Sequence, residues 1–266
     1  MKRGGGMLMV VGLSTIVWLV ALSGWAAGFS GGPRLSTSEL NASCAICHAM
    51  PKVEYAPERG AAATAQLIEN KHYKDLEAGS GGYSLIPTDK RKALLEQVKW
   101  VDQNSSVSLK APASAKPGQT IEVTVEAKGG IGPNVGVFLG DVPLRYLARS
   151  VAFDGWYIVD APKVIGPDGK EQTWWLEQRR EQKKNLSYLL VQAKADVEKK
   201  SLPTTKITWN LRAPVDPGTY TMTAGFLYGT EEPDELKTGK LELAPGGYQG
   251  NGGRVLFSDP VTVTVR

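Results

Sequence analysis

The run "TIEVTVEAK" at 120–128 sets Ile121, Val123 and Val125 at every second position, with polar residues between them. Successive side chains of a strand point to opposite faces, so this period fits a sheet with one face in a core. The same period returns at Tyr220, Met222, Ala224 and Phe226, and again at Val261, Val263 and Val265. The shorter runs "NVGVFL", "GWYIV" and "KITWNLRAP" also read as strands. Lys116-Pro117-Gly118-Gln119, Pro167-Asp168-Gly169-Lys170 and Asp216-Pro217-Gly218-Thr219 are turn sequences between them. At least seven strands punctuated this way imply an antiparallel β-sandwich, immunoglobulin-like in the broad sense. The 30 glycines and 16 prolines agree with a turn-rich β region.

Two stretches carry a helical period instead. In "PTDKRKALLEQVKWVDQN", Leu94, Leu95, Val98 and Val101 recur at helical spacing, with Thr88 as the expected N-cap. In "TWWLEQRREQKKNLSYLLVQAKADVEKKS", Trp175, Arg179, Gln182, Leu186, Leu189, Ala193 and Val197 form a stripe, which predicts a helical insertion over about 173–201. Residues 170–200 hold eight basic and five acidic side chains, the pattern of a solvated face, or of a docking face for an acidic partner. Between the two stretches, "NSSVSLKAPASAKPGQ" reads as a linker. Trp156, Trp174 and Trp175 are expected to pack in a core or interface. The net charge of +4 gives no concentrated basic face, so nucleic acid is not an expected partner.

Lys2 and Arg3 precede 23 uncharged residues, 7–29. A bilayer core needs roughly 20 apolar residues as a helix, so residues 1–34 read as an uncleaved signal anchor. The weak small-residue site at Gly24-Trp25-Ala26 leaves a cleaved signal peptide as the alternative. Either reading sends the bulk of the chain to the periplasmic or extracytoplasmic side of an inner membrane.

The only cysteines, Cys44 and Cys47, stand in Cys44-Ala-Ile-Cys47-His48. Two thiols two residues apart can form thioethers with both vinyl groups on one porphyrin edge, and the next residue can offer an imidazole to the iron. A zinc site would need two more ligands, and the chain has no further cysteine and one further histidine. A disulfide would close only a two-residue loop, and no strand–helix pattern flanks the pair as a thioredoxin-like dithiol requires. The stretch resembles a c-type cytochrome over residues about 35–104, a size suited to a small domain. The resemblance implies one haem c bound covalently by Cys44 and Cys47, with His48 as proximal iron ligand.

In class I members of that family the distal ligand is usually a downstream methionine, and here there is none between Met50 and Met222. Met50 lies two residues beyond His48, a span of at most ~7 Å, too short to reach the other haem face. His72 is the expected distal ligand. It shares a face with Ile68 and Leu76 on a helix expected from about Pro57 to Ala78, stopped by Gly79. Lys71, a five-coordinate iron, or Met222 brought in by docking are the other options. Two nitrogen ligands give a lower potential than a His/Met pair.

The expected fold class is therefore α+β multidomain: an N-terminal membrane helix over 1–34, a small all-α haem domain over 35–104, and a sandwich with a helical insertion over 105–266. The stretch "ITWNLRAPVDPGTYTMTAGFLYGTEEP" with "GGRVLFSDPVTVTV" is similar to Reeler-like sandwich modules of exported bacterial proteins, which implies a docking domain and transfers no catalytic residue. The expected role is single-electron transfer to a redox partner or respiratory complex, not enzymatic turnover. A peroxidase-like haem protein with an open sixth site, and a non-redox binding module with a Cys44–Cys47 disulfide, are the competing readings.

Overall fold

The computed structural model describes residues 73–80, 83, 84, 86–142, 149–177, 186–231 and 253–266. Cys44, Cys47, His48, Met50, His72 and the uncharged run 7–29 lie outside the described residues. So does the expected helix from Pro57, except for its end. Tyr73 and Lys74 form a π-helical turn leading into α1, Asp75–Ala78. Gly79 closes it at φ 69°, the left-handed conformation that glycine adopts without a Cβ clash. The helix α2, Thr88–Asn104, follows. Pro87, not Thr88, occupies its N-cap, and no side chain caps it.

Eleven strands follow: β1 Ser106–Lys110, β2 Ser114–Ala115, β3 Thr120–Lys128, β4 Asn134–Gly140, β5 Tyr157–Ile158, β6 Lys163–Ile165, β7 Tyr188–Gln192, β8 Thr204–Arg212, β9 Gly218–Gly229, β10 Gly253–Phe257 and β11 Val261–Val265. One sheet has the order β1-β3-β8-β5, with β6 also on β8. The other has the order β2-β11-β9-β4-β7, with β10 also on β9. All pairs are antiparallel except β2 with β11.

The alternation at 120–128 acts as the period requires. Ile121, Val123, Val125 and Ala127 are buried, and the residues between them are not. Opposite them on β8, Leu211, Trp209 and Ile207 pair with Ile121, Val123 and Val125, so large apolar side chains meet across the ladder. The facing sheet adds Val137, Leu139, Met222, Ala224, Phe226 and Val263 to the same core. Strands β4 and β9 are nearly continuous buried runs, the pattern of strands covered on both faces. Pro117-Gly118 makes the tight turn into β3. Gln119 N–H donates to the Lys116 carbonyl at 3.0 Å, and Gly118 takes φ 71°.

Three expectations are corrected. The described residues are mainly β, in two sheets, with three α-helices, and no helix among them is long and apolar enough to cross a membrane. Over the described residues the fold class is thus not a separate small all-α domain with a sandwich appended, and the expected membrane helix over 1–34 lies outside them. The end of α2 enters the core of the two-sheet body through Val101. The expected helical insertion over 173–201 is also corrected: only α3, Trp174–Glu177, is helical there, and Tyr188–Gln192 is strand β7 on β4. Residues 188–191 are so uniformly apolar that they satisfy a helical stripe and a buried strand equally, and pairing with β4 decides between them. The linker at 105–119 contains β1 and β2, which edge the two sheets. Trp156 and Trp175 are core residues, and Trp174 packs partly buried against the same core.

Trp209 is fully buried, and its indole N–H donates to the Leu186 carbonyl at 2.8 Å. Trp209→Ala removes that packing and leaves the carbonyl without its donor. The expected loss is about 3–5 kcal/mol in urea denaturation. Val215→Ala, at a residue 75% exposed, should stay within about 0.5 kcal/mol of the parent.

Candidate functional site

The concentration of buried ionisable groups among the described residues lies where residues 73–104 meet the two-sheet body. Helix α2 presents Val98, Val101 and Asp102 on its buried face. Val98 packs with Leu76, Tyr83 and Ile86 in a small core of its own, while Val101 joins the larger one. Asp102 sits beside Val101 and is carried inward with it. On the other side, Arg254 of β10 is paired with Tyr228 of β9, so both side chains rise from the same sheet face. Phe226 stacks on Tyr228 at 5.0 Å between centroids and supports that face.

Asp102 receives four hydrogen bonds. Arg254 Nε donates to Oδ1 and Nη2 to Oδ2, each at 3.1 Å. The Tyr73 hydroxyl donates to Oδ2 at 2.9 Å, and the Tyr228 hydroxyl to Oδ1 at 3.5 Å. A carboxylate has about four lone-pair directions, so this one is saturated. The side chains of Arg254 and Asp102 are 0% and 2% exposed. Burying two charges costs several kcal/mol per ion, and the forked geometry with two hydroxyl donors offsets it. Burial works against the Arg254 charge, but Asp102, Tyr83 and Tyr228 outweigh it and hold the guanidinium protonated. Burial, and then the Asp102 charge, push the Tyr228 hydroxyl well above the ordinary phenol range.

A second carboxylate stands close by. Glu231 is 1% exposed, and its Oε1 accepts from the Tyr83 hydroxyl at 3.1 Å. Burial raises its pKa most. Arg254 and the Tyr83 hydrogen bond lower it, Asp102 raises it, and the result is about 7. Gln97 of α2 donates to the neighbouring Thr230 carbonyl at 3.2 Å.

None of these residues stood out as a site in the sequence. A signal was there: Asp102 lies four residues after Val98, so an acid falls on the apolar stripe of α2. Arg254 likewise stands beside the apolar run "VLF". The expected haem ligands Cys44, Cys47, His48 and His72 are outside the described residues, so the structure does not bring them together or separate them. Among the described residues no group of three or more His, Cys, Asp or Glu side chains is arranged to hold a metal ion. The basic stretch 170–200 is described only in part. There Lys199 is exposed and paired with Asp196 at 2.8 Å, each holding the other in its charged form.

No protein-family model matches the chain, and no curated protein is significantly similar to it.

Arg254→Met leaves the Asp102 carboxylate buried without its cation. Stability in urea should fall by about 3–5 kcal/mol. Adding Asp102→Asn to that variant removes the stranded charge and should restore part of the loss. Equal stability of the single and double variants would mean that the ion pair does not hold this junction.

Proposed function

We propose that this protein is an extracytoplasmic electron carrier with one covalently attached haem c, held at the membrane by residues 7–29 and docking to a redox partner or larger redox assembly. The observation that carries this reading is Cys44-Ala-Ile-Cys47-His48, which uses both cysteines and one of the two histidines of the chain. Cys44 and Cys47 would hold the porphyrin through thioethers, His48 would be the proximal iron ligand, and His72 the distal one. Bound there, the haem supplies a one-electron Fe(III)/Fe(II) couple, of low potential with two imidazole ligands. The described part of the chain contributes position. Tyr73 immediately follows His72 in sequence, and its hydroxyl is fastened to Asp102. The residue next to the proposed distal ligand is therefore tied to the two-sheet body through the Asp102–Arg254 pair. That supports a role for the β region in presenting the redox site to its partner.

The test is expression of the full chain with a cytochrome c maturation system, followed by spectroscopy of the denatured protein. Haem should stay attached after denaturation in the parent and be lost in the Cys44→Ala, Cys47→Ala variant. A parent without covalent haem overturns the reading and leaves the disulfide-bearing binding module in its place. In native protein, His72→Ala should convert a six-coordinate low-spin spectrum to a five-coordinate one. A parent spectrum that is already five-coordinate and high-spin, and unchanged by His72→Ala, would replace the electron carrier with a haem protein whose sixth site is open.

A further inference from the structure

Residues 73–104 and the two-sheet body meet at a second buried contact whose chemistry differs from that of the ion pair. Tyr83 and Glu231 lie 148 positions apart and are joined by one hydrogen bond at 3.1 Å. Both are almost wholly buried, and Glu231 Oε2 has no hydrogen-bond partner among the described residues. Tyr83 belongs to the small core with Leu76, Ile86 and Val98, so whatever loosens Tyr83 loosens the seat of α2.

Among the described residues, the charges at this junction do not balance when every acid is ionised. One guanidinium, that of Arg254, faces two carboxylates, and it gives its Nε and Nη2 donors to Asp102. Asp102 and Arg254 together are neutral. An ionised Glu231 then adds a net negative charge to a water-excluded site where, among the described residues, only Tyr83 donates to it. A buried carboxylate so poorly solvated is costly, while the neutral acid keeps the Tyr83 bond without the charge.

We propose that Tyr83 and Glu231 form a proton-operated clasp, which holds residues 73–104 on the two-sheet body while Glu231 is protonated and loosens when that proton leaves. Among the described residues, the charged and titratable groups facing Glu231 are Tyr83 from the turn after α1, Asp102 from α2 and Arg254 from β10. Arg254 and Tyr83 favour the ionised acid, burial and Asp102 oppose it, and the balance sets its pKa at about 7 in place of 4.5. The sign follows from linkage. The closed clasp binds a proton that the open one releases, so closure is fully favoured below about pH 4.5, weakens as pH rises towards 7, and changes no further above that. Across that window the closing equilibrium should weaken by roughly two to three orders of magnitude. The clasp rests on the described residues alone and stands whether or not Cys44 and Cys47 carry haem.

Amide hydrogen exchange on the full-length protein at pH 5 and pH 8, corrected for the intrinsic exchange rates, tests this directly. Amides of Thr88–Asn104 should lose protection at pH 8 by at least about tenfold, while those of Thr120–Lys128 in β3 keep theirs. Glu231→Gln keeps an acceptor for Tyr83 without the titrating proton, and its α2 protection should not depend on pH. Equal protection of α2 at both pH values overturns the proposal. So does equal loss in α2 and β3, or a Glu231→Gln variant with the parent's pH dependence. If Glu231→Gln does not fold, infrared spectroscopy of the parent decides. A protonated carboxyl band that persists at pH 6 and vanishes by pH 8 supports the clasp, and its absence at pH 6 overturns it.

Discussion

The Asp102–Arg254 ion pair is the constraint around which the junction is arranged. Each charge is tolerable inside only because the other is there, with the Tyr73 and Tyr228 hydroxyls filling the remaining lone pairs of the carboxylate. That requirement fixes several elements together. Strand β10 must pair with β9 so that Arg254 stands opposite Tyr228. Helix α2 must approach with Asp102 inward, and it ends two residues later, where the Ser105 N–H closes on the Val101 carbonyl at 2.9 Å. A slip of one residue in β10 would turn Arg254 to the other face of the sheet. Asp102 would then be buried with hydroxyls alone. The pair thus discriminates against near-native arrangements more than it adds net stability, since apolar side chains of equal volume could fill the same space.

What the sequence disclosed follows from how local each signal is. In β3, β8 and β11 one face is in the core, and the two-residue period is visible in the residues themselves. Gly79 and Gly118 are legible for a similar reason: each serves a left-handed conformation set by its immediate neighbours. The failures occur where the deciding partner is distant. Residues 188–192 are strand because β4 lies beside them, yet their apolar run fits a helix as well. The edge strand β1 has an alternation diluted by serine and lysine, and β3 supplies its register. The buried cluster was the least legible part. Asp102, Glu231 and Arg254 are ordinary surface residue types, and their burial follows from contacts over 126–152 positions, which no local period encodes. The spacing of Cys44, Cys47 and His48, read as a haem site, lies outside the described residues, as does the proposed distal ligand.

The distribution of reactive side chains divides the chain in two. Both cysteines and both histidines precede Tyr73, and 73–266 contains neither. Thiol or imidazole chemistry must therefore be done by the N-terminal portion, whatever its nature. Among the described residues, the strongly shifted buried groups, Tyr83, Tyr228, Glu231 and Arg254, gather at the boundary between that portion and the sheets. A body needed only as a spacer would be joined more cheaply by apolar contact, as Val101 already is. A contact built from saturated charges is rigid while its proton count holds, and it responds to any change in that count. Tyr73, one residue from His72, is joined to that contact through its hydroxyl. On the proposed reading, the charge state of the boundary is accordingly the route by which the two-sheet body acts on the chemistry carried ahead of it.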